Sequence, residues 1–243
     1  VPRPLKVHIV TIDLKAEGVR AFVTPGETTA GVEFSTRTTS EFVTEFGVQI
    51  AINGGFYKSL HSNENDDPSL HPGDPVDVIG LAISDGITYS TSEKGMGVLC
   101  ILADNRAQIN DENCPTETIQ AIAGGTILID QGVPITAEDI PEDGLHPRTA
   151  VAIDEQGETL WLIVVDGRQP DYSEGITLVE LANGILELGA YMALNLDGGG
   201  STTLVVADGL SPHILNSPID AEVPMRERAV ANHLGGFAQP IGP

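Results

Sequence analysis

The chain has 243 residues, with 41% hydrophobic residues, 27 glycines and 16 prolines, a composition that suits a turn-rich globular protein and excludes a disordered one. Thirty-five acidic residues against twelve basic ones give a formal net charge of -23, which repels nucleic acid and anionic membranes and argues against either as a partner. The longest apolar run, around residues 160–165, is far too short to span a bilayer.

The chain starts at Val1 with no charged n-region or apolar h-region, which fits a removed signal and a trimmed start equally. Runs of β-branched and aliphatic residues predict strands over 7–14, 19–23 and 48–52. A helix is expected before the third. Thr38 and Glu41 are spaced for a capping box, Phe42, Val43 and Phe46 form an apolar face, and Gly47 supplies the stop. The strand 48–52 then runs into Asn53, Gly54, Gly55, Phe56 and Tyr57. A plain Asn-Gly turn would account for the glycines. In a carbohydrate site, Asn53 would be a two-sided hydrogen-bonding group and Phe56 or Tyr57 an apolar platform for a sugar face.

Residues 59–77, SLHSNENDDPSLHPGDPVD, are too polar for a core and too long for an ordinary turn, and are expected to form an acidic insertion that could act as a lid. Asn63, Asn65, Asp67 and Asp74 loosely follow a calcium loop. Pro68, however, stands where a glycine should make the turn, and Asp74 replaces the closing glutamate, so a solvated acidic loop is favoured over a metal site. Strands follow over 76–84, 96–102 and 119–129. A bridge between Cys100 and Cys114 would close a short loop and stabilise by roughly 3 kcal/mol; a buried free Cys100 beside an incidental Cys114 is equally open.

Strands over 149–153 and 159–165 make a hairpin across 155–158, and pairing Asp154 with Thr159 sets Arg148 opposite Val165, beside Asp166. A second capping box, Thr177 with Glu180, opens a helix whose stripe is Leu178, Leu181, Ile185 and Leu188 and whose stop is Gly189. With the strand 191–196, residues 159–196 form a strand, helix, strand crossover long enough for parallel pairing. Both strands would end on one edge. Asp166, Gly167 and Arg168 would then share a crevice with Asp197. Strands over 203–206 and 230–234 complete an α+β class of mixed, strand-rich sheets with a few helices, in one domain spanning 1–243.

Residues 195–203, NLDGGGSTT, are the centre of the candidate site. Three glycines between Asp197 and Ser201 would let backbone N–H groups approach a ligand oxygen without side-chain obstruction. A tight hairpin turn would need one or two glycines, and no hydroxyl run after them. Arg148, Arg168, Arg226 and Arg228 are half of the eight arginines and all lie beside these motifs. Surface ion pairs account for Arg226 and Arg228 in so acidic a chain. The shared edge makes Arg148 and Arg168 an anion clamp, since planar guanidinium forks match phosphate oxygens. No Walker-type loop, HExxH, CxxC pair or GxSxG elbow occurs, so nucleotide hydrolysis, common zinc proteolysis and the α/β-hydrolase mechanism lack support.

Six motifs in order, INGGFY (52–57), AGGTILI (123–129), HPRTAVAID (146–154), VDGRQPDYSEGITLVELA (165–182), LGAYMALNLDGGGSTTLV (188–205) and RERAVANHLG (226–235), resemble the phosphodiester glycosidase family. The resemblance covers most of the chain from about residue 52 and implies hydrolysis at a sugar anomeric carbon with a phosphate monoester as leaving group. Such a monoester, with its second pKa at about 6, leaves far more readily than a sugar alkoxide, which relaxes the need for a strong general acid.

The implied site has Asp197 as catalytic carboxylate, with Asp166 positioning a sugar hydroxyl or sharing the acid–base role. Arg148 and Arg168 would clamp the phosphate with N–H groups from Gly198, Gly199 and Ser201, while Asn53, Gly54, Gly55, Phe56, Thr202, Arg228 and Asn232 would line the substrate. The substrate would be a small or polymeric sugar phosphate, with N-acetylglucosamine one candidate sugar. No particular cofactor is implied, and Ca2+ or Mg2+ is the candidate cation; the setting would be secreted, periplasmic or cell-surface. Two rival readings are a metal-dependent phosphodiesterase that cuts P–O and a non-catalytic cell-wall or polysaccharide-binding domain.

Overall fold

The structure is a computed structural model and describes residues 3–26, 34–60, 70–140, 143–209 and 211–238. Among the described residues the three larger of five antiparallel sheets meet around one apolar core, and two helices cover outer faces, in keeping with the expected α+β class. The first sheet has six strands in the order Val7–Asp13, Thr159–Val165, Arg148–Ile153, Met192–Asn195, Ile127–Asp130 and Val133–Pro134. Its alternation sorts side chains onto two faces. Val151, Leu160, Leu162, Val164 and Leu194 point into the central core, while Ala150, Ala152, Ile163, Val165 and Ala193 face the helix Leu178–Leu186. That helix buries Leu178, Leu181, Ala182 and Ile185 there, each large side chain contributing about 1.5–3 kcal/mol.

The second sheet runs Ser211–Ile214, Leu204–Asp208, Ile50–Asn53, His233–Phe237 and Arg20–Val23. On its outer face Phe42 and Val43 of the helix Thr39–Phe46 pack against Phe22, Ala51 and Val205. Both expected capping boxes form, and Gly47 ends the first helix in the left-handed region. The second helix stops at Leu186, and Leu188 lies in the turn that follows it.

Several sequence expectations shift for identifiable reasons. The stretch 76–84 divides into Pro75–Val78 and Ala82–Ser84 at Gly80, and 119–129 divides into Thr118–Ala123 and Ile127–Asp130 at Gly124 and Gly125. The strand expected over 230–234 is His233–Phe237, while Val230 makes only an isolated bridge to Arg37. Arg148 pairs with Val165 in the expected register. The crossover differs: Thr159–Val165 and Met192–Asn195 run in the same direction but do not pair, because Arg148–Ile153 lies between them and pairs antiparallel with both. Their ends still share one edge. The acidic segment joins a hairpin, since Tyr57–Ser59 pairs with Pro75–Val78; His61, Asn63, Asn65, Asp67 and Pro68 lie outside the described residues.

Cys100 and Cys114 are disulfide-bonded, which resolves the open alternative. At a sequence separation of 14, chain-entropy loss in the unfolded state is worth about 3 kcal/mol. Replacing both cysteines with alanine is therefore expected to lower Tm by roughly 6–12 °C in a thermal melt. An unchanged Tm would show that the bridge contributes nothing net.

Candidate active site

The segment 196–203 is the crossover between the two principal sheets, leaving the first at Asn195 and entering the second at Leu204. Asn53 locks this junction. Its Nδ2 donates to the Asp197 carbonyl at 2.6 Å, and its Oδ1 accepts from the Thr149 hydroxyl at 2.7 Å and the Thr203 N–H at 3.2 Å. Asn53 is 0% exposed, so it is structural floor and not the sugar-lining group expected from sequence. Asn232 extends the floor, its Oδ1 accepting from the Gly55 N–H at 2.9 Å and its carbonyl from the Gly54 N–H. Gly54 in turn accepts the Asp197 N–H. A Cβ at Gly55 would stand 2.1 Å from the Ala123 carbonyl oxygen, a backbone atom that cannot yield, which explains the second glycine of the motif.

The three glycines after Asp197 also prove to be needed for a different reason than expected. The N–H groups of Gly198, Gly199 and Ser201 already donate, to Asp197 Oδ1, Pro147 O and Gly198 O. A Cβ at Gly198 would stand 2.8 Å from the Pro147 carbonyl oxygen, and what the missing side chains of Gly199 and Gly200 admit is arginine. A Cβ at Gly199 would lie 3.0 Å from Arg168 Nη2, and one at Gly200 would lie 2.5 Å from Arg228 Nη2. Both guanidinium groups therefore rest directly on the loop beside Asp197.

Asp197 itself is surrounded by Tyr57, Ser201, Arg228 and the Gly198 N–H. Burial pushes its carboxyl above the ordinary value, against the opposing pull of the Ser201 hydrogen bond, Arg228 and Gly198. Burial and the charge of Asp197 push the Tyr57 phenol up to about 12, so it stays protonated and is a donor across the working range. The Ser201 hydroxyl lies between the two, in hydrogen-bonding reach of each, and accepts from Arg228 Nη1 at 3.4 Å. Phe56 is half-buried, and its ring lies against Gly125, where a Cβ would be 3.1 Å from Cε2.

Two expected participants are otherwise engaged. Asp166 is 1% exposed, and its Oδ1 accepts from Asn216 Nδ2 and the Ser217 N–H, both at 2.9 Å, while Oδ2 meets the Tyr172 hydroxyl at 3.2 Å and His8 Nε2 at 3.4 Å. Burial acts to raise its pKa, but hydrogen bonds from His8, Asn216 and Ser217 outweigh it and hold the carboxyl below the ordinary value. A saturated, ionised carboxylate organises loops and does not exchange protons with a ligand. Asn216 also donates to the Thr202 carbonyl and accepts from the Leu204 N–H, so Asp166 secures the far end of the glycine segment.

Arg148 is committed likewise, pairing with Asp143 at 2.9 Å and donating to the carbonyls of Gly144 and Ile176. It is therefore not a free half of a clamp. The Arg168 guanidinium is exposed and has no hydrogen-bond or ion-pair partner among the described residues. Arg226 and Arg228 both face Asp220, at 3.6 and 2.7 Å, and Arg228 reaches the site while Arg226 does not. Thr202 and Thr203 are buried, with hydroxyls that lack partners among the described residues. No group of three or more His, Cys, Asp or Glu among the described residues is arranged to hold a metal.

Tyr57 and Asp220 are the site residues that sequence reasoning left out or underused. Tyr57 carried a signal, following the Asn-Gly-Gly segment directly. Asp220 carried none, because it reaches the crevice only through the short hairpin Ile219–Asp220 and Val223–Pro224.

Comparison with known proteins bears on the fold and the family. A stretch of 100 residues, 38% of the chain, is 35% identical to bovine N-acetylglucosamine-1-phosphodiester alpha-N-acetylglucosaminidase and covers 18% of that protein's length. Among solved structures, the fold matches the zebrafish catalytic domain of the same name, auto-inhibited by its pro-peptide, with a TM-score of 0.66 at 22% identity, covering 97% of this chain and 84% of that one. A Burkholderia pseudomallei K96243 protein named for export matches with a TM-score of 0.68 at 15% identity, over 97% and 74% of the two chains. A hypothetical protein from Synechocystis matches with a TM-score of 0.62 at 16% identity, over 97% and 59%. At these identities the structures carry the fold alone. The family itself matches across residues 46–237, from the end of the first helix through the last strand and every motif around Asp197, so the chain belongs to the phosphodiester glycosidase family.

Proposed function

We propose that the protein hydrolyses sugar 1-phosphodiesters at the anomeric carbon, releasing a free sugar and a phosphate monoester. The observation that carries this reading is the unpaired Arg168 guanidinium resting on the same glycine loop as the largely buried Asp197 carboxylate. One group neutralises the charge that develops on a departing phosphate, and the other acts at the sugar carbon or on the attacking water. With a phosphate leaving group, no second carboxylic acid is needed, which fits the engagement of Asp166 in loop contacts. Phe56 supplies an apolar surface for the sugar ring. The bovine relative's name makes N-acetylglucosamine the first sugar to test. An extracytoplasmic setting is favoured by the disulfide and by the exported structural neighbour; no helix among the described residues is long and apolar enough to cross a membrane.

Hydrolysis of a panel of sugar 1-phosphodiesters in oxygen-18 water, followed by mass spectrometry, tests the reading. Label is expected in the reducing sugar and not in the phosphate. Label in the phosphate would mean P–O cleavage, and binding without turnover across the panel would favour a carbohydrate-binding role.

A further inference from the structure

Arg228 lies between two carboxylates. Asp220, 2% exposed, accepts from its Nε at 2.7 Å, whereas no ion pair joins Arg228 to Asp197. The Asp220–Arg228 pair lies directly on the glycine loop, since a Cβ at Gly200 would be 2.5 Å from Arg228 Nη2 and 3.0 Å from Asp220 Oδ1. Asp220 is itself held in place: its N–H donates to the Arg226 carbonyl, and its Oδ2 is 3.6 Å from Arg226 Nε. The Arg228 side chain is only 32% exposed, so a guanidinium without that counter-ion would close onto another carboxylate in reach, because charge pairing is stronger there than in bulk solvent. Asp197 is the other carboxylate whose charge acts on Arg228. Such a pair would make Asp197 a weaker base and remove Arg228 as a cation available to a ligand.

We propose that Asp220 is a positioning residue that holds the Arg228 guanidinium away from Asp197, leaving Asp197 free to react and the Nη edge of Arg228 against Ser201 and Gly200. The inference rests on the reading of Asp197 as the reacting carboxylate, but its test requires no substrate. The other polar or charged groups around Asp197 are Tyr57 and Ser201, with Arg168 on the adjoining Gly199 and Arg226 beyond Asp220.

Carbon-13 NMR titration of the ligand-free, aspartate-labelled chain reads the Asp197 carboxyl directly, assigned by the signal lost in Asp197→Asn. Asp220→Asn is expected to shift the Asp197 titration downward, as Arg228 closes onto it. Arg228→Gln is expected to shift it upward. In the Arg228→Gln background, Asp220→Asn should add nothing further, because Asp220 acts through Arg228. A downward shift of equal size with and without Arg228, or no shift at all, would overturn the proposal. Should Asp220→Asn not fold, Arg228→Lys is a second route. Its ammonium lacks the Nε fork to Asp220 and should drift toward Asp197, lowering that titration, so an unchanged or raised value would overturn the proposal too. Failure of every sugar 1-phosphodiester to turn over would sink the proposed activity and leave these titrations standing.

Discussion

Asp197→Asn should reduce kcat by about 10^3-fold or more, the scale of a lost acid–base or charge-stabilising group, while leaving the chain folded and able to bind a sugar phosphate. Asparagine preserves the shape of the side chain and can still accept the Gly198 N–H at 2.9 Å. What it removes is the negative charge. The same substitution should raise Tm, and the sign follows from burial. The folded-state pKa of Asp197 lies above its ordinary value, so the group favours folding while protonated and that contribution is lost as pH rises through the folded-state value. Above that value the ionised carboxylate opposes folding and asparagine does not, which sets the sign of the Tm change.

In the wild type, the acid limb of kcat/KM should fall above the ordinary aspartate value of about 3.9, because the reactive form is the ionised one. A thermal melt of the variant beside a pH–rate profile of the wild type checks both halves. An active Asp197→Asn enzyme would remove Asp197 from the mechanism. A variant both inactive and less stable would mean that the carboxylate is primarily structural.

The sequence was most legible where local rules act alone. Both capping boxes, Thr38 with Glu41 and Thr177 with Glu180, depend on residues three apart, and the Arg148–Val165 register follows from one tight turn. From these, the placement of Asp166, Arg168 and Asp197 on one edge could be reached by counting. Side-chain direction could not. Asp166 is turned away from the crevice by Asn216 and Ser217, about fifty residues distant, and Asn53 is locked by Thr203 at a separation of 150. A strand end specifies where a Cα lies, whereas the partners that claim its side chain come from whichever chain segment tertiary folding brings beside it. The glycines illustrate the same limit. Their spacing signalled close approach, but only the structure identifies Arg168 and Arg228 as what approaches.

Arg168→Ala should lower kcat/KM toward a sugar 1-phosphodiester by about 10^2-fold, equivalent to roughly 2.7 kcal/mol, the upper range for a charge-assisted hydrogen bond. With a net charge of -23, the protein repels an anionic substrate until local positive charge overcomes the surrounding field. Arg148 cannot supply it, being paired with Asp143, and the charge of Arg228 is shared with Asp220. Arg168 can, and the fold presents it at a cost. Its backbone sits at a φ of 57°, a left-handed conformation that a non-glycine residue adopts only when its surroundings enforce it, at about 1–3 kcal/mol.

The enforcing structure is the loop built on Asp166. Ser173 Oγ donates to the Asp166 carbonyl at 2.6 Å, Tyr172 donates to its carboxylate, and Gln169 bonds Ser217 through both ends of its amide. Asp166 thereby holds the loop that carries the residue two positions ahead of it. Arg168→Lys should recover part of the loss, because an ammonium supplies charge without the planar fork. Steady-state kinetics on a phosphodiester beside a neutral glycoside of the same sugar separates charge recognition from general disruption. The phosphodiester should lose far more than the neutral compound, and equal losses on both would show that Arg168 does not bind phosphate.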